Sequence, residues 1–357
     1  MGIKSWATTN GVVLTAPSGA IVTALVDSDN PLAIRPYTVR FQFDDSSYNP
    51  TNETWVSGSF WTQVSSSPNV WDFTYVNSSW METLHSRFQD RNNVVHILGA
   101  NLIGIDSMIG TFEGCTALRS VALMDLGTAT DMRSLFSGCA ALNSVTGLNT
   151  TSATTMYGMF KGCESLPSVP LFDTSHVTNM GDMFRKCSSL TSVPLFNTSN
   201  VTDMYAMFAE CASLTSVPLF NTSNVTNMES LFNNCSSLTS VPLLDTSNVR
   251  YMIDMFAECQ SLTTAPLFDT SHAVNMSRMF SHCRSLTAVP LYNTVNATNV
   301  DSMFLECYDV ESGALALYQQ MASQILVPES HRYCFYNCGL NTITGAQELA
   351  QIPSDWK

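Results

Sequence analysis

The apolar and polar positions of this chain repeat with a period of 24 residues. Phenylalanine returns at this step, as at Phe184, Phe208 and Phe232, and a cysteine follows each of these phenylalanines three residues later. The cysteines in this series are Cys115, Cys139, Cys163, Cys187, Cys211, Cys235, Cys259, Cys283 and Cys307. A fixed period in the range of about 20–50 residues is typical of solenoids, in which each repeat forms one coil. The sequence therefore predicts a stack of 24-residue coils.

Each repeat contains a segment whose apolar spacing predicts a short helix. In residues 203–211, Met204, Met207, Phe208 and Cys211 stand at i, i+3, i+4 and i+7, which is one stripe of a two-turn helix. Asp203 precedes the stripe and is a good N-cap residue. We therefore expect a helix that packs its apolar stripe inward.

Two extended segments follow the predicted helix. Leu214, Val217 and Leu219 form an apolar run like the strand of a leucine-rich repeat, but Pro218 removes an amide and should interrupt that strand. Residues 225–228 contain no proline and begin with a β-branched residue, so we expect them to form the more continuous parallel ladder.

A helix and a strand in every coil would curve the array. Packed helices need about 8–10 Å, whereas paired strands need only about 4.8 Å, so the strand side should become concave. Successive cysteines on the helix side would then lie beyond the ~7 Å Cα separation that a disulfide tolerates. The pattern predicts buried free thiols.

An Asp or Asn recurs where each coil turns. These residues are Asp125, Asn149, Asp173, Asn197, Asn221, Asp245, Asp269 and Asn293. Such side chains can hydrogen-bond turn backbone, which is a structural role. A ladder of calcium ions is the functional alternative, since aligned carboxylates attract hard cations.

The period divides the chain into three parts. Residues 1–80 lack it and read as a small β-rich domain suited to attachment, residues 81–307 form the repeat array, and residues 308–357 form a C-terminal cap. The cap should contain a helical insertion, a degenerate last coil around residues 334–338 and a short terminal helix. The predicted fold class is α/β: a leucine-rich-repeat-like solenoid whose coils each hold short strands and a short helix.

Composition narrows the function. Only 12% of residues are charged, the formal net charge is -14 and there are 15 Lys and Arg residues, so a nucleic-acid partner is not expected. No apolar run approaches the ~18 residues that span a bilayer, so membrane insertion is not expected. The first residues contain no apolar signal-peptide core, so export through a signal peptide is not expected either. His331, Cys334 and Cys338 match no zinc spacing, and His176 and His272 stand where sister coils have asparagine. We expect no catalytic residue, metal or cofactor.

Some residues are large or charged at repeat positions that hold small polar residues in the other repeats. They are Tyr157, Tyr205, Arg250, Tyr251, Arg278 and Asp301. Tyrosine and arginine are frequent at binding hot spots, so these six are the candidates for ligand binding. The alternative is variation on a solvated surface without function.

The repeat resembles a known family. The patterns Met-Phe-x-x-Cys-x-x-Leu at residues 183–190 and Asn-Thr-Ser-Asn-Val-Thr-Asp-Met at 197–204 resemble the bacterial-surface-protein repeat, the BspA-like branch of the leucine-rich repeats. The resemblance covers roughly residues 84–307 and implies adhesion or host-surface recognition. The C-terminal segments 312–318 and 351–357 are similar to repeat proteins of gut Bacteroidetes and their bacteriophages.

The resemblance leads to a functional expectation with two alternatives. We expect a non-enzymatic virion surface protein, a fibre or decoration, whose array binds a protein or glycan on a host or mucosal surface and whose N-terminal part contacts other virion proteins. The first alternative is a purely structural virion fibre or spacer. The second is an adhesin that is extracellular or on the bacterial cell surface. Self-association is compatible with all three.

Overall fold

The computed structural model describes residues 13–15, 21–23, 37–43, 49–52, 59–63, 70–75, 88–102, 104–324 and 327–357. The strands are β1 (Val13–Thr15), β2 (Ile21–Thr23), β3 (Tyr37–Phe43), β4 (Ser59–Gln63), β5 (Val70–Tyr75), β6 (Val94–Asn101), β7 (Ser120–Asp125) and β8 (Ser144–Asn149). The helices are α1 (Ala314–Ala322) and α2 (Ile343–Gln351), and Pro50–Asn52 form a 3-10 turn. Most of the array between β8 and α1 consists of turns and extended segments.

The strands near the N-terminus share a sheet with the first coils. Six strands are ordered β4-β5-β3-β6-β7-β8, and β3 pairs antiparallel with both β5 and β6, while β6, β7 and β8 are parallel. The Phe88 ring lies 5.0 Å from that of Phe41 and 5.2 Å from that of Phe73, measured between centroids. The sequence predicted a small β-rich N-terminal domain in residues 1–80, and the strands β3, β4 and β5 of that segment share the sheet of the first coils.

The segment that the sequence assigned to a helix is a run of tight turns. In residues 203–211, the amide of Met207 donates to the carbonyl of Met204 at 3.2 Å, and the amide of Cys211 donates to Phe208 at 3.1 Å. Ala206 and Glu210 have positive φ angles of 50° and 64°, which an α-helix does not allow. Consecutive turns also bring every third or fourth side chain inward, so the apolar spacing was compatible with both structures. The helix prediction was wrong.

The turns leave alternate amides free to bond the next coil. The amide of Ala206 donates to Glu229 at 2.9 Å and that of Phe208 donates to Leu231 at 3.0 Å, both to carbonyl oxygens. A helix satisfies its interior amides within itself and could not form this ladder. Because the turn side is hydrogen-bonded between coils like the strand side, the expected cause of a concave strand face is absent.

Phenylalanine rings form a continuous stack along the turn side. Phe208 lies 5.8 Å from Phe184 and 5.6 Å from Phe232, with interplanar angles of 8° and 4°. All three rings are at most 1% exposed. The stack follows the hydrogen-bonded coils, since each phenylalanine takes the same place in its coil.

All eleven cysteines are buried free thiols, but for a different reason than helix spacing. Coils that hydrogen-bond to each other are too close for the Cα separation argument to hold. Instead, each ladder thiol contacts a carbonyl of the preceding coil; the sulfur of Cys211 donates to Phe184 at 3.1 Å, and that of Cys235 to Phe208 at 3.1 Å. The thiol thus supplies a second donor to a carbonyl at the end of the turn segment.

The strand side has one interrupted ladder and one continuous ladder. β7 and β8 form regular strands, and the following coils, which carry a proline at this place, do not. The second ladder continues through every coil as parallel bridges, and Asn227 pairs with both Asp203 and Tyr251. The greater continuity expected for residues 225–228 is confirmed.

The inward side chain after each proline is not the leucine that the sequence suggested. Leu219 is 61% exposed, whereas Phe220 is 4% exposed and lies 6.2 Å from Phe208. Adjacent residues of an extended chain point to opposite sides, so only one can enter the core. The outward leucines form what we call the leucine ridge: Leu171, Leu195, Leu219, Leu243, Leu267 and Leu291, each 55–67% exposed.

The C-terminal cap has the elements expected from the sequence. The helical insertion is α1 and the terminal helix is α2. A degenerate coil completes the stack, since the amide of Phe304 donates to Cys334 at 2.8 Å and the ring of Phe335 lies 6.0 Å from that of Phe304. These three predictions are confirmed.

Replacing Phe208 by alanine is expected to lower the free energy of unfolding by about 3–5 kcal/mol, because a buried ring is lost from a stack whose neighbours cannot close the gap. Equilibrium urea unfolding followed by circular dichroism measures the change. Thr215→Ala removes an exposed side chain nearby and should change stability by less than about 0.5 kcal/mol. Equal effects of the two variants would contradict the inward placement of Phe208.

Alkaline pH is expected to unfold the protein through its thiols. Burial raises the pKa of Cys187 to about 12 from an ordinary value of 9.0, and it raises the pKa of the other ladder thiols as well. The folded protein therefore keeps these protons while the unfolded chain releases them. The stability that the thiols contribute is fully present below pH 9 and is lost as pH rises towards 12, by about 1.4 kcal/mol per thiol per pH unit.

Circular dichroism in the presence of a reductant should show cooperative unfolding between about pH 9 and 11, reversed on return to pH 7. A thiol reagent should find the cysteines unreactive at pH 7.5 until denaturant is added. An intact fold with unreactive thiols at pH 11 would contradict the linkage.

Candidate ligand-binding site

The six candidate residues do not converge on one site. Tyr157, Tyr205 and Asp301 occupy one position of the turn segment in different coils, and Arg278 occupies the position after it. Arg250 and Tyr251 are adjacent to each other at the continuous ladder of the strand side. A candidate residue can bind a ligand only if contacts within the fold do not already occupy its side chain.

Tyr157 has a structural role. Its hydroxyl donates to Oδ2 of Asp182 at 2.9 Å, and its ring lies against Gly181, where an added Cβ would come within 3.0 Å of a ring carbon. Partial burial, together with the Asp182 carboxylate, raises the pKa of Tyr157 to about 12. The residue links two coils and leaves no free polar group.

Asp182 is the centre of a network that the sequence analysis missed. Its side chain is 2% exposed and accepts from Nζ of Lys161 at 2.7 Å, and Arg185 lies 3.6 Å from its other oxygen. Arg185 also pairs with Glu210 at 3.2 Å. The signal was a local concentration of charge in a chain with few charged residues, but Lys161 and Glu210 belong to other coils than Asp182. The network stabilises coil contacts and exposes no unpaired carboxylate.

Arg278 and Asp301 are also held by neighbouring coils. Arg278 makes two hydrogen bonds to the Asp254 carboxylate, at 2.7 and 2.6 Å, which raise the pKa of Arg278 above its ordinary value. Asp301 accepts from the hydroxyl of Ser330 and the amide of Arg332, each at 2.6 Å. Asp301 therefore fastens the degenerate last coil to the array.

Arg250 and Tyr251 also differ from the residues at the same positions of other coils, but they lose contacts. Each lacks a hydrogen bond that the usual residue at its position makes. The column of Arg250 contains threonines such as Thr226, whose hydroxyl donates to a carbonyl of the preceding coil at 3.3 Å. The column of Tyr251 contains Asx residues such as Asn227, whose side chain accepts the amide of Glu229 at 3.0 Å. Arg250 and Tyr251 are both exposed, Tyr251 by 47%.

Tyr205 neither gains a side-chain hydrogen bond to another of the described coils, as Tyr157 does, nor loses a backbone hydrogen bond, as Tyr251 does. Its side chain is half-buried, and its amide donates to the carboxylate of Asp203 at 3.0 Å, so the backbone at this position keeps the hydrogen bond that recurs along the column. Nothing in the contacts of its ring points to a ligand.

A shallow depression of about 420 Å³ lies beside Arg250. Thr226, Asn224, Asn248 and His272 line the rest of it. The side-chain amides of Asn224 and Asn248 donate to backbone carbonyls of preceding coils at 2.7 and 2.8 Å, which fixes their orientation. Within the described part of the chain, no carboxylate pairs with the Arg250 guanidinium. The depression therefore combines an unpaired positive charge with fixed amides.

The recurrent Asx residues act within their own turns. The carboxylate of Asp245 accepts the amide of Ser247 at 3.0 Å, and the side chain of Asn197 accepts that of Ser199 at 3.2 Å. This is the structural role expected for the column. In the part of the chain that the structure describes, no group of three His, Cys, Asp or Glu residues is arranged to hold a metal ion.

The His331 cluster at the C-terminal end is also used by the fold. The His331 ring stacks on Trp356 with centroids 4.1 Å apart, and Cys334 and Cys338 are at most 1% exposed.

Of the helices in the described ranges, neither is long and apolar enough to cross a membrane.

Stacked 24-residue coils joined by parallel ladders define a repeat solenoid. Residues 106–219, 154–264 and 215–316 match the family described as "Mycoplasma protein of unknown function, DUF285". The matches together cover more than half of the chain, and the protein belongs to this family.

Two further comparisons add no functional residue. No curated protein matches the sequence. A crystal structure of a leucine-rich repeat protein from Eubacterium ventriosum is similar with 15% identity and a TM-score of 0.32, over 70% of this chain and 84% of that one.

Asp301→Ala is expected to loosen the last coil, because the half-buried hydroxyl of Ser330 and the amide of the exposed Arg332 lose their acceptor, at a cost of about 0.5–1.5 kcal/mol per hydrogen bond. Hydrogen exchange should increase in residues 330–357 and not in the central coils. Asp301→Asn retains one acceptor oxygen and should have a smaller effect. Uniform exchange along the array in Asp301→Ala would contradict the fastening role.

Proposed function

We propose that the protein is a non-enzymatic binding protein whose repeat array holds its ligand at the depression beside Arg250. The observation that carries this proposal is that Arg250 and Tyr251, in succession, each replace a residue type that hydrogen-bonds within the array. Tyr157, Arg278 and Asp301 gain contacts between coils when they depart from the repeat. A departure that loses contacts and exposes a charge and a ring is better explained by binding than by folding.

The chemistry of the depression favours a carboxylate-bearing glycan. The Arg250 guanidinium can bind a carboxylate through two parallel hydrogen bonds. His272 and the fixed amides of Asn224 and Asn248 supply further polar groups for sugar hydroxyls. The exposed ring of Tyr251, the next residue after Arg250, offers an apolar surface of the kind that a sugar face packs on.

The site of action that we propose is a virion surface, where the array would bind a host-surface or mucosal ligand. The resemblance of the C-terminal segments to repeat proteins of gut Bacteroidetes and their phages supports this location, and the bacterial cell surface is the alternative. In this proposal the N-terminal strands contact other virion proteins. Copurification of the protein with phage particles tests the location independently of ligand binding.

A purely structural fibre is the second candidate function. It is favoured by the fact that most candidate positions are engaged in contacts between coils, as at Tyr157, Arg278 and Asp301. Binding data decide between the two candidates, because a spacer needs no unpaired Arg250.

Arg250→Thr, which restores the residue of its column, is expected to weaken binding to sialylated oligosaccharides at least about tenfold, since a charge-assisted pair is lost. A mucosal glycan array with matched sialylated and neutral structures, followed by calorimetry on 3′-sialyllactose and lactose, measures the change. Arg133→Thr is the matched control, because Arg133 is exposed but already paired with Asp131 at 2.7 Å. Binding that is unaffected by Arg250→Thr, or equal for sialyllactose and lactose, would contradict the proposed site.

A further inference from the structure

The leucine ridge is a continuous apolar strip that the interior of the array does not require. Its six leucines occupy the same place in six consecutive coils and are 55–67% exposed, and each follows a half-buried proline. Coils joined by parallel ladders are about 4.8 Å apart, so the ridge is roughly 24 Å long. Single exposed leucines are ordinary on protein surfaces, but an aligned row of this length marks an interaction surface.

The surroundings of the ridge contain almost no charge. The residues between Leu214 and Asn224 and their counterparts in the other ridge coils are Ser, Thr, Val, Ala, Pro, Leu, Phe, Tyr and Asx, with no Lys or Arg. Lys161, Arg185 and Arg278 are in the turn segments instead, and Arg250 is at the continuous ladder. A partner of this strip is therefore held by apolar contact and not by ion pairs.

We propose that the leucine ridge binds the ridge of a second copy of this chain, with the two arrays antiparallel about a two-fold axis between Leu219 and Leu243. An occupant that contacts all six leucines must repeat at the spacing of the coils. A second copy has the same coils and therefore the same spacing. A two-fold axis places the same surface patch on both sides of the interface. Under this symmetry Leu171 of one copy faces Leu291 of the other.

The area of the ridge is sufficient for such a dimer. Six leucines at about 60% exposure, with their prolines, offer on the order of 700 Å² per copy, compared with about 800 Å² per partner in a standard interface. The strip is also larger than the few hundred Å² of contiguous apolar surface that monomers commonly expose.

The Asx column beside the ridge selects the antiparallel orientation. Each Asx residue follows its ridge leucine by two positions and is exposed, and in the six ridge coils the order is Asp173, Asn197, Asn221, Asp245, Asp269, Asn293. The antiparallel axis places Asp173 opposite Asn293, Asn197 opposite Asp269 and Asn221 opposite Asp245. Every carboxylate then faces an amide. A parallel dimer, with its two-fold axis along the ridge, would place the two Asx columns on opposite flanks and form none of these pairs.

Pairs of this kind already occur within one chain. The amide of Asn149 donates to the carboxylate of Asp125 at 2.8 Å in neighbouring coils of the same column. The hydroxyl and amide of Ser247 hold the pKa of Asp245 below its ordinary value, so this carboxylate is ionised at neutral pH. The aspartate–asparagine pairs of the antiparallel arrangement are therefore charge-assisted at neutral pH.

Sedimentation velocity of the full chain from 1 to 100 μM at pH 7.5 tests the dimer. We expect a dimer, and we expect the double variant Leu219→Asp, Leu243→Asp to be monomeric throughout this range with an unchanged circular dichroism spectrum. The double variant Leu340→Asp, Ile343→Asp is the matched control: it adds the same two charges at apolar residues that are 49% and 81% exposed outside the ridge, and it should leave the dimer intact. A monomeric wild-type chain, or a dimer that survives the double substitution, would overturn the proposal.

Cross-linking tests the orientation. The eleven native thiols are buried, so cysteines introduced at the ends of the ridge report on the interface. Mild oxidation of a mixture of Leu171→Cys and Leu291→Cys proteins should give a disulfide between the two variants. Neither variant should cross-link alone, because the antiparallel axis holds identical positions about 24 Å apart. Efficient cross-linking of each variant with itself would overturn the antiparallel arrangement.

Discussion

The structure depends on the way in which backbone amides are shared between neighbouring coils. In each turn segment one set of amides bonds three residues back, as Met207 does to Met204, and the alternate set bonds the next coil, as Phe208 does to Leu231. Buried amides without acceptors are costly, so no single coil is stable by itself. The stack therefore needs an end on each side, which β3 supplies at the first coil and the degenerate coil with α1 and α2 supplies at the last.

The same ladder explains the two most regular columns of the sequence. Once the coils are fixed at hydrogen-bonding distance, the phenylalanine rings have to stack, and Phe208 does so on both neighbours. A small side chain with a weak donor is needed where the turn segment ends, and Cys211 fills that place with its thiol directed at Phe184. Both columns are consequences of one backbone arrangement repeated along the array.

A rigid repeat also gives a criterion for interpreting its exceptions. Tyr157 and Asp301 depart from the repeat and gain contacts, so they strengthen the frame. Arg250 and Tyr251 depart and lose contacts, which is why the proposed ligand site is there. If both proposals hold, an antiparallel dimer would present two symmetry-related ligand sites, and a surface that displays several glycans would then bind with avidity beyond the affinity of one site.

The sequence alone determined the features that repeat or that form locally. The 24-residue period predicted the solenoid, and helical spacing in a segment outside the period predicted α1. The sequence could not distinguish a helix from consecutive turns at residues 203–211, because both place Met204 and Phe208 inward and the difference lies in acceptors 23 residues away. It also could not decide which of Leu219 and Phe220 points inward, since that depends on the space beside the phenylalanine stack. Which candidate side chains are engaged in contacts and which are free was likewise decided only by the tertiary structure, because their partners belong to other coils.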